Sequence, residues 1–151
     1  MFHIALYEPE IPSNTGNIGR LCVATGAILH LVGRTGFDLD DRSLKRAGLD
    51  YWSEVTLERH ATLAEFENGR PVERLFCFSA HATAPYTRVA YRPGDVLLFG
   101  SETRGLPPEV LERHEDRTFL IPLPTGKVRS LNLANAVAIV LYEALRQVSA
   151  W

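Results

Sequence analysis

The chain has 151 residues, of which 46% are apolar and 23% are charged, and its formal net charge is −2. This length predicts one domain over residues 1–151, which can bury about two thirds of its unfolded surface without disulfides or a metal. The charge excludes a generally basic coat for nucleic acid, and no run approaches the roughly 18 apolar residues that predict a membrane helix. The strand-like start lacks a signal-peptide pattern, so we expect a cytoplasmic protein.

The first part of the chain predicts a strand–helix–strand unit. Residues 2–7 are typical of a strand, and residues 8–14 form a loop that contains two prolines. A helix should follow, with Asn14 as its candidate N-cap and Gly26 at its end. Residues 27–32 form a short apolar run, as expected for a strand that is buried on both faces of a parallel sheet.

Two later apolar runs, residues 75–79 and 95–99, are each followed at once by small or polar residues and predict central strands. Together with the first unit they predict an α/β fold with a mostly parallel central sheet and helices on both faces. Ligands of such sheets bind beyond the carboxyl ends of the strands. We therefore expect Phe78, Gly100 and the loop after Ile121 to meet at one crevice. Minor elements are predicted at residues 38–48 (helix), 54–57 (strand) and 62–67 (helix).

Residues 99–108 form a candidate ligand loop between a strand and a helix that should begin at Pro107 or Pro108. Its two glycines would let the backbone pass close to a ligand. The charged residues Glu102 and Arg104 either contact polar groups of that ligand or pair with each other.

A second candidate loop precedes the last helix. Residues 120–130 leave an apolar strand, pass two prolines and become polar, and a helix is then predicted from Asn132 to Val148. Asparagine favours a cap over a helix interior. One of Asn132 and Asn135 should therefore cap this helix, which leaves the other to hold the loop or a ligand.

Residues 12–20 allow two interpretations. They can be a capped helix start with Arg20 exposed to solvent. They also place two asparagines, two glycines and an arginine within seven residues, and the first turn of a helix beside a cation is a ready phosphate site.

Several common chemistries lack their sequence signals. The dinucleotide fingerprint, the P-loop and the nucleophile elbow are all missing, which disfavours a classical nucleotide cradle and hydrolase chemistry. Cys22 and Cys77 lie in apolar runs and are predicted to be buried free thiols. The five histidines do not fall at metal-ligand spacing with a cysteine or with each other, so no structural zinc is predicted.

Three segments together resemble the motifs of the SPOUT methyltransferases. They read Asn14-Thr-Gly-Asn-Ile-Gly-Arg20, Leu98-Phe-Gly-Ser-Glu-Thr-Arg-Gly-Leu-Pro107 and, after Ile121-Pro-Leu, Ser130-Leu-Asn-Leu-Ala-Asn-Ala136. Their order and separations also fit that family. Residues 6–12 and 46–51 resemble in particular its small members that methylate the ribose of nucleotide 34 in tRNA.

The resemblance implies a C-terminal deep trefoil knot, the SPOUT or alpha-beta knot, in which residues 130–142 pass through a loop. It also implies a pocket for S-adenosyl-L-methionine, no metal, and a homodimer with the pockets near its interface. The implied reaction transfers a methyl group to the ribose 2′-hydroxyl of the wobble nucleotide, a cytidine or modified uridine in the tRNA anticodon loop. Leucine tRNA is the expected substrate and S-adenosyl-L-homocysteine the product.

The resemblance also assigns roles by position. Those assigned to the cofactor are Phe78, Gly100, Ile121 and Ser130. Those assigned to catalysis are Asn14 and Arg20. Those assigned to the pocket shape or the RNA approach are Glu102, Asn132, Asn135 and Tyr142. Arg42, Lys45 and Arg46 form the best basic cluster for RNA phosphates, although a solvated helix end explains them equally well.

Two further functions remain open at this point. The chain can be a SPOUT enzyme that acts on another RNA, such as ribosomal RNA, or a knotted module that binds RNA or cofactor without catalysis. In the enzymatic interpretation, Arg20 is a poor base because a guanidinium gives up its proton reluctantly. Its hypothesised role is to orient a phosphate and stabilise the developing oxyanion, while the proton leaves to phosphate or water.

Overall fold

The computed structural model describes residues 1–39 and 50–150, and its centre is a parallel sheet of seven strands. The spatial order is β3-β2-β1-β6-β4-β7-β5, and each neighbouring pair is parallel. This confirms the predicted α/β class. The strands are β1 His3–Tyr7, β2 Ile28–Val32, β3 Leu57–His60, β4 Leu75–Phe78, β5 Ala84–Pro85, β6 Val96–Phe99 and β7 Thr118–Leu120.

Helices cover both faces of this sheet, as predicted. The helices in the described residues are α1 Pro12–Thr25, α2 Leu63–Glu67, α3 Pro108–Arg113 and α4 Leu133–Val148. Successive strand residues point to opposite faces. Accordingly, Ile4 packs in the same apolar cluster as residues of α1 and α4, whereas Ala5 packs with residues of α2 and α3. The helix predicted at 38–48 falls largely on residues 40–49, outside the described part.

The start of α1 corrects one prediction. The N-cap is Ile11, which makes no side-chain capping bond, and Pro12 occupies the first helical position. Proline suits that position because its missing N–H would have had no helical partner. The prediction of Asn14 as N-cap is therefore wrong. The predicted end at Gly26 is confirmed, where a φ of 73° suits a residue without a Cβ.

The edges of the sheet also differ from the prediction. A strand at 54–57 was predicted, but β3 begins only at Leu57 because Trp52–Glu54 form a 3-10 turn. The strand then runs through charged residues, which an edge strand tolerates. β5 was not predicted, and its two residues include Pro85, which is acceptable at the opposite edge.

Cys22 and Cys77 are free and buried, as predicted. Burial raises the pKa of each thiol to about 12, so both are protonated at neutral pH. None of the helices in residues 1–39 and 50–150 has the length and apolar character needed to cross a bilayer. The trefoil knot and the single-domain extent remain predictions.

Candidate functional site

One cavity of about 470 Å³ lies where the carboxyl ends of β4, β6 and β7 meet the start of α4. Its volume lies within the range of small-molecule sites, roughly 300–1,000 Å³. The predicted convergence of three strand-end loops is thus confirmed. The lining includes all four residues assigned to the cofactor, namely Phe78, Gly100, Ile121 and Ser130, and three others assigned to the site, namely Asn14, Glu102 and Asn132.

The loop after β6 forms one wall and folds back tightly on itself. The Gly105 N–H donates to the Ser101 carbonyl at 2.9 Å, and Gly105 has a φ of 67°. A Cβ added at Gly100 would stand 2.0 Å from the Gly105 carbonyl carbon and 2.2 Å from the Leu106 nitrogen. Position 100 therefore admits only glycine in this loop conformation, because the clashing atoms belong to the backbone.

Glu102 ties this loop to the segment that leads into α1. Its carboxylate accepts from the Glu10 N–H at 2.7 Å, from the Ile11 N–H at 3.0 Å and from Asn14 Nδ2 at 3.3 Å. Arg104 instead has its guanidinium 4.0 Å from the Glu8 carboxylate. The alternative in which Glu102 pairs with Arg104 is therefore wrong. Glu102 holds two loops together with both of its oxygens.

Asn132 extends this network to the last helix. Its Nδ2 donates to Asn14 Oδ1 at 2.9 Å, while its Oδ1 accepts from Ala134 N at 2.9 Å and from Asn135 N at 3.3 Å. Asn132 is thus the N-cap of α4, which settles which asparagine caps the helix. Asn14 is buried between Glu102 and Asn132, and the three side chains join the three motif segments.

An apolar wall completes the cavity. The ring of Phe78 stacks on that of Phe99, with centroids 4.9 Å apart and planes inclined by 18°. Ile121 and Leu133 line the same space, and Ser130 lies at its exposed rim. Flat apolar side chains beside loop backbone provide stacking and amide hydrogen bonds, which is what an aromatic, polar ligand requires.

Arg20 lies outside the lining of its own chain's cavity, and its side chain is exposed. Its guanidinium stacks on the Tyr51 ring at 4.9 Å from the centroid, and the Tyr51 hydroxyl donates to the Gly16 carbonyl at 2.8 Å. The ring thereby holds the cation beside α1. Asn135 and Tyr142 are exposed on α4, and Arg42, Lys45 and Arg46 lie outside the described residues.

The sequence analysis did not single out Glu10, which the structure places at the same site. Its carboxylate accepts from the Thr103 hydroxyl at 2.7 and 2.9 Å, and this hydrogen bond lowers the pKa of Glu10. The sequence contained one usable signal, since Glu10 lies in a short loop that precedes a candidate phosphate-binding turn. Its partner, however, is 93 residues away.

Most of this chain resembles known RNA methyltransferases. The family model described as the SpoU rRNA Methylase family matches residues 1–142. The tRNA (cytidine(34)-2'-O)-methyltransferase of Escherichia coli K12 is 46% identical over 148 residues, which cover 97% of this chain and 94% of that protein.

Solved structures extend the likeness to the fold. One described as giving structural insights into the 2-OH methylation of C/U34 on tRNA has a TM-score of 0.90 and 51% identity, covering 98% of this chain and 96% of that one. The SpoU methyltransferase AviRb of Streptomyces viridochromogenes, in complex with the cofactor AdoMet, has a TM-score of 0.76 and 28% identity, covering 96% of this chain and 59% of that one.

Proposed function

This chain belongs to the SpoU rRNA methylase family, and we propose that it is a methyltransferase for the ribose 2′-hydroxyl of nucleotide 34 in tRNA. The observation that carries the proposal is the cavity in which three motif loops meet. The methyl donor is S-adenosyl-L-methionine, on which the family depends.

The cavity fits this donor in size and in chemistry. Its volume of about 470 Å³ suits a nucleoside with an amino-acid tail, and its walls combine apolar side chains with loop backbone. We assign Phe78, Gly100, Ile121 and Ser130 to cofactor binding because all four line it. When bound, the cofactor supplies an activated methyl group on a sulfonium.

The protein's own task is to orient the ribose. Asn14, which is assigned to catalysis, is held in place by hydrogen bonds to Glu102 and Asn132, and the three side chains together fix the geometry of the loops. Asn135 and Tyr142 are exposed on α4 and are assigned to the RNA approach. Arg42, Lys45 and Arg46 are assigned to the RNA backbone, where each neutralised phosphate would add to the salt dependence of binding.

Arg20 is assigned to the reacting ribose. Its guanidinium stabilises the charge that develops on the 2′-oxygen and orients the neighbouring phosphate. The proton of the hydroxyl then leaves to phosphate or water. Tyr51 supports this role because its ring fixes the arginine by a stacked contact.

A homodimer is part of the proposal because Arg20 does not line the cavity of its own chain. α1 and α4 pack together. They expose the large apolar residues Val23 and Val148, whose exposed fractions are 37% and 39%. Pairing of two chains through this surface would bury that area and could bring the Arg20 of one chain to the cavity of the other.

Leucine tRNA is the expected substrate and the cytoplasm the expected location. Incubation of the purified chain with methyl-labelled cofactor and bulk tRNA should label nucleotide 34 of leucine tRNA, as read by mapping the modified nucleotide. A transcript with a 2′-deoxy nucleotide at position 34 should accept no label. Label in ribosomal RNA would identify another RNA substrate, and cofactor binding without any transfer would identify a non-catalytic module.

Substitutions at Asn132 separate its two roles. Asn132→Ala should lower the free energy of unfolding by about 1 kcal/mol through loss of the cap of α4. Asn132→Asp should keep the cap, because a carboxylate also accepts from the helix N–H groups, yet it loses the donor to Asn14 and should slow methyl transfer roughly tenfold. Thermal unfolding and single-turnover transfer measure the two effects.

Thr62 provides the matched control, because its hydroxyl accepts from Glu65 N at 3.1 Å and caps α2 away from the cavity. Thr62→Ala should cost a similar stability without slowing transfer. An Asn132→Asp enzyme with the wild-type rate would show that the bond to Asn14 has no catalytic consequence.

A further inference from the structure

Three potential metal ligands meet on the face of the sheet that α2 covers. Glu58 and His60 are two residues apart on β3, so their side chains share a face. His30 lies on the neighbouring strand, with its Cα paired to that of Glu58. Because this grouping depends on strand pairing, the spacing of histidines along the sequence gave no sign of it. None of the three residues lines the cofactor cavity.

The three ligand atoms have the separations of a metal site. His30 Nδ1 lies 3.1 Å from His60 Nε2 and 3.3 Å from Glu58 Oε2, and His60 Nε2 lies 3.7 Å from the same oxygen. Ligands placed tetrahedrally around Zn²⁺ at about 2.0–2.1 Å stand roughly 3.3–3.5 Å apart. A cation can therefore enter with only small movements of the side chains.

His30 is prepared for ligation. Its side chain is fully buried, which holds the ring in place beside the other two ligands. His3 Nδ1 lies 2.9 Å from His30 Nε2, where it can accept a hydrogen bond from the Nε2–H of His30. With its proton on Nε2, His30 has an unprotonated Nδ1 that can bind a metal. The ring of Phe66 packs edge-on against both His30 and His60, which fixes their orientation.

Charge and access also suit a cation. The Glu58 side chain is 46% exposed, which opens the cluster to solvent, whereas that of His60 is 12% exposed. In the structure the Arg70 guanidinium lies 3.4 Å from Glu58 Oε2 and serves as the counter-cation. A metal ion would take over this role at Oε2, and repulsion from Arg70 would make the affinity moderate rather than high.

We propose that His30 Nδ1, Glu58 Oε2 and His60 Nε2 form a binding site for a divalent transition-metal ion of the zinc class. Two imidazoles and one carboxylate are a common zinc ligand set, and a water completes the fourth position. The ion is not a reactant in methyl transfer, so the site stands independently of the proposed function. The bound ion would link the edge strand β3 to β2.

The test uses the whole untagged chain, residues 1–151, after removal of metal, with Zn²⁺ alone as the probe. Competition with a chromophoric chelator should show one Zn²⁺ per chain, and Glu58→Gln and His60→Ala should each weaken binding at least about tenfold. Saturating Zn²⁺ should also raise the unfolding midpoint of the wild-type chain but not that of Glu58→Gln. Circular dichroism checks that both variants are folded.

Glu73→Gln and His81→Ala are the matched controls, because each removes the same kind of ligand from an exposed position outside the cluster. Both should bind Zn²⁺ like the wild type. The proposal is overturned if the wild-type chain does not bind Zn²⁺ saturably, or if Glu58→Gln and His60→Ala bind it as tightly as the wild-type chain.

Discussion

Replacing Arg20 with alanine should slow methyl transfer roughly 100-fold at saturating cofactor, with little change in cofactor affinity. The expected size is that of losing one preorganised group that stabilises developing charge. Cofactor affinity should persist because Arg20 does not line the cavity of its own chain. Arg20→Lys should keep part of the rate, since it retains the charge but loses the planar fork and the close stack on Tyr51. Single-turnover transfer and calorimetric cofactor binding measure the two quantities.

Arg88 provides a control for loss of charge, because it is an exposed arginine that does not line the cavity. Arg88→Ala should transfer methyl groups at the wild-type rate. An Arg20→Ala enzyme with nearly the wild-type rate would remove Arg20 from the mechanism.

The same variant tests whether Arg20 acts across a dimer. In a mixture of Arg20→Ala and Asn132→Asp chains, some dimers contain one chain of each kind. If Arg20 acts at the cavity of the partner chain, one of the two sites in such a dimer combines an intact Arg20 with an intact Asn132. The mixture should then exceed the summed activities of the two separate variants. Activity no greater than the sum would place Arg20 and the cavity of its own chain in one active site.

Replacing Gly100 with alanine should weaken cofactor binding at least about tenfold and lower the free energy of unfolding by about 1–3 kcal/mol. The added methyl would stand 2.0 Å from the Gly105 carbonyl carbon, so the loop that forms the cavity wall must open. The clash involves backbone on both sides, and a change of rotamer cannot relieve it. Calorimetric titration with cofactor and thermal unfolding are the measurements.

Gly69→Ala is the control that separates a loss of cofactor binding from a loss of stability. Gly69 has a φ of 78° and open space around its missing Cβ, so alanine there introduces backbone strain without a clash. Gly69→Ala should lower stability while leaving cofactor binding intact. If Gly100→Ala bound the cofactor as well as Gly69→Ala does, the tight fold of the loop would not be needed for the pocket.

The central strands could be predicted from the sequence because burial on both faces requires continuous apolar runs, as in β4 and β6. The meeting point of their loops followed from the rule for parallel sheets. The start of α1 could not be predicted in the same way. Asn14 has the residue type of a cap, but its actual partners, Glu102 and Asn132, lie 88 and 118 residues away.

The proposed metal site of His30, Glu58 and His60 could not be predicted from the sequence for a related reason. Glu58 and His60 are two residues apart, but they face His30 only because β3 pairs with β2 in the observed register. A shift of one residue would turn both side chains to the other face. Local patterns therefore predict elements and strand-end loops, whereas side-chain constellations depend on pairings between distant segments.

The hydrogen bond between Asn14 and Asn132 has a consequence for how the protein is made. It joins two residues separated by 118 positions, and the loop after β6 is held to the same cluster through Glu102. Contacts over such separations form late, because the entropy of closing long loops must be overcome before they contribute. While the segment that contains α4 is still inside the ribosome, the emerging chain can build β1, α1 and β2 but has no complete cavity. We therefore expect binding competence to arise only after α4 has docked.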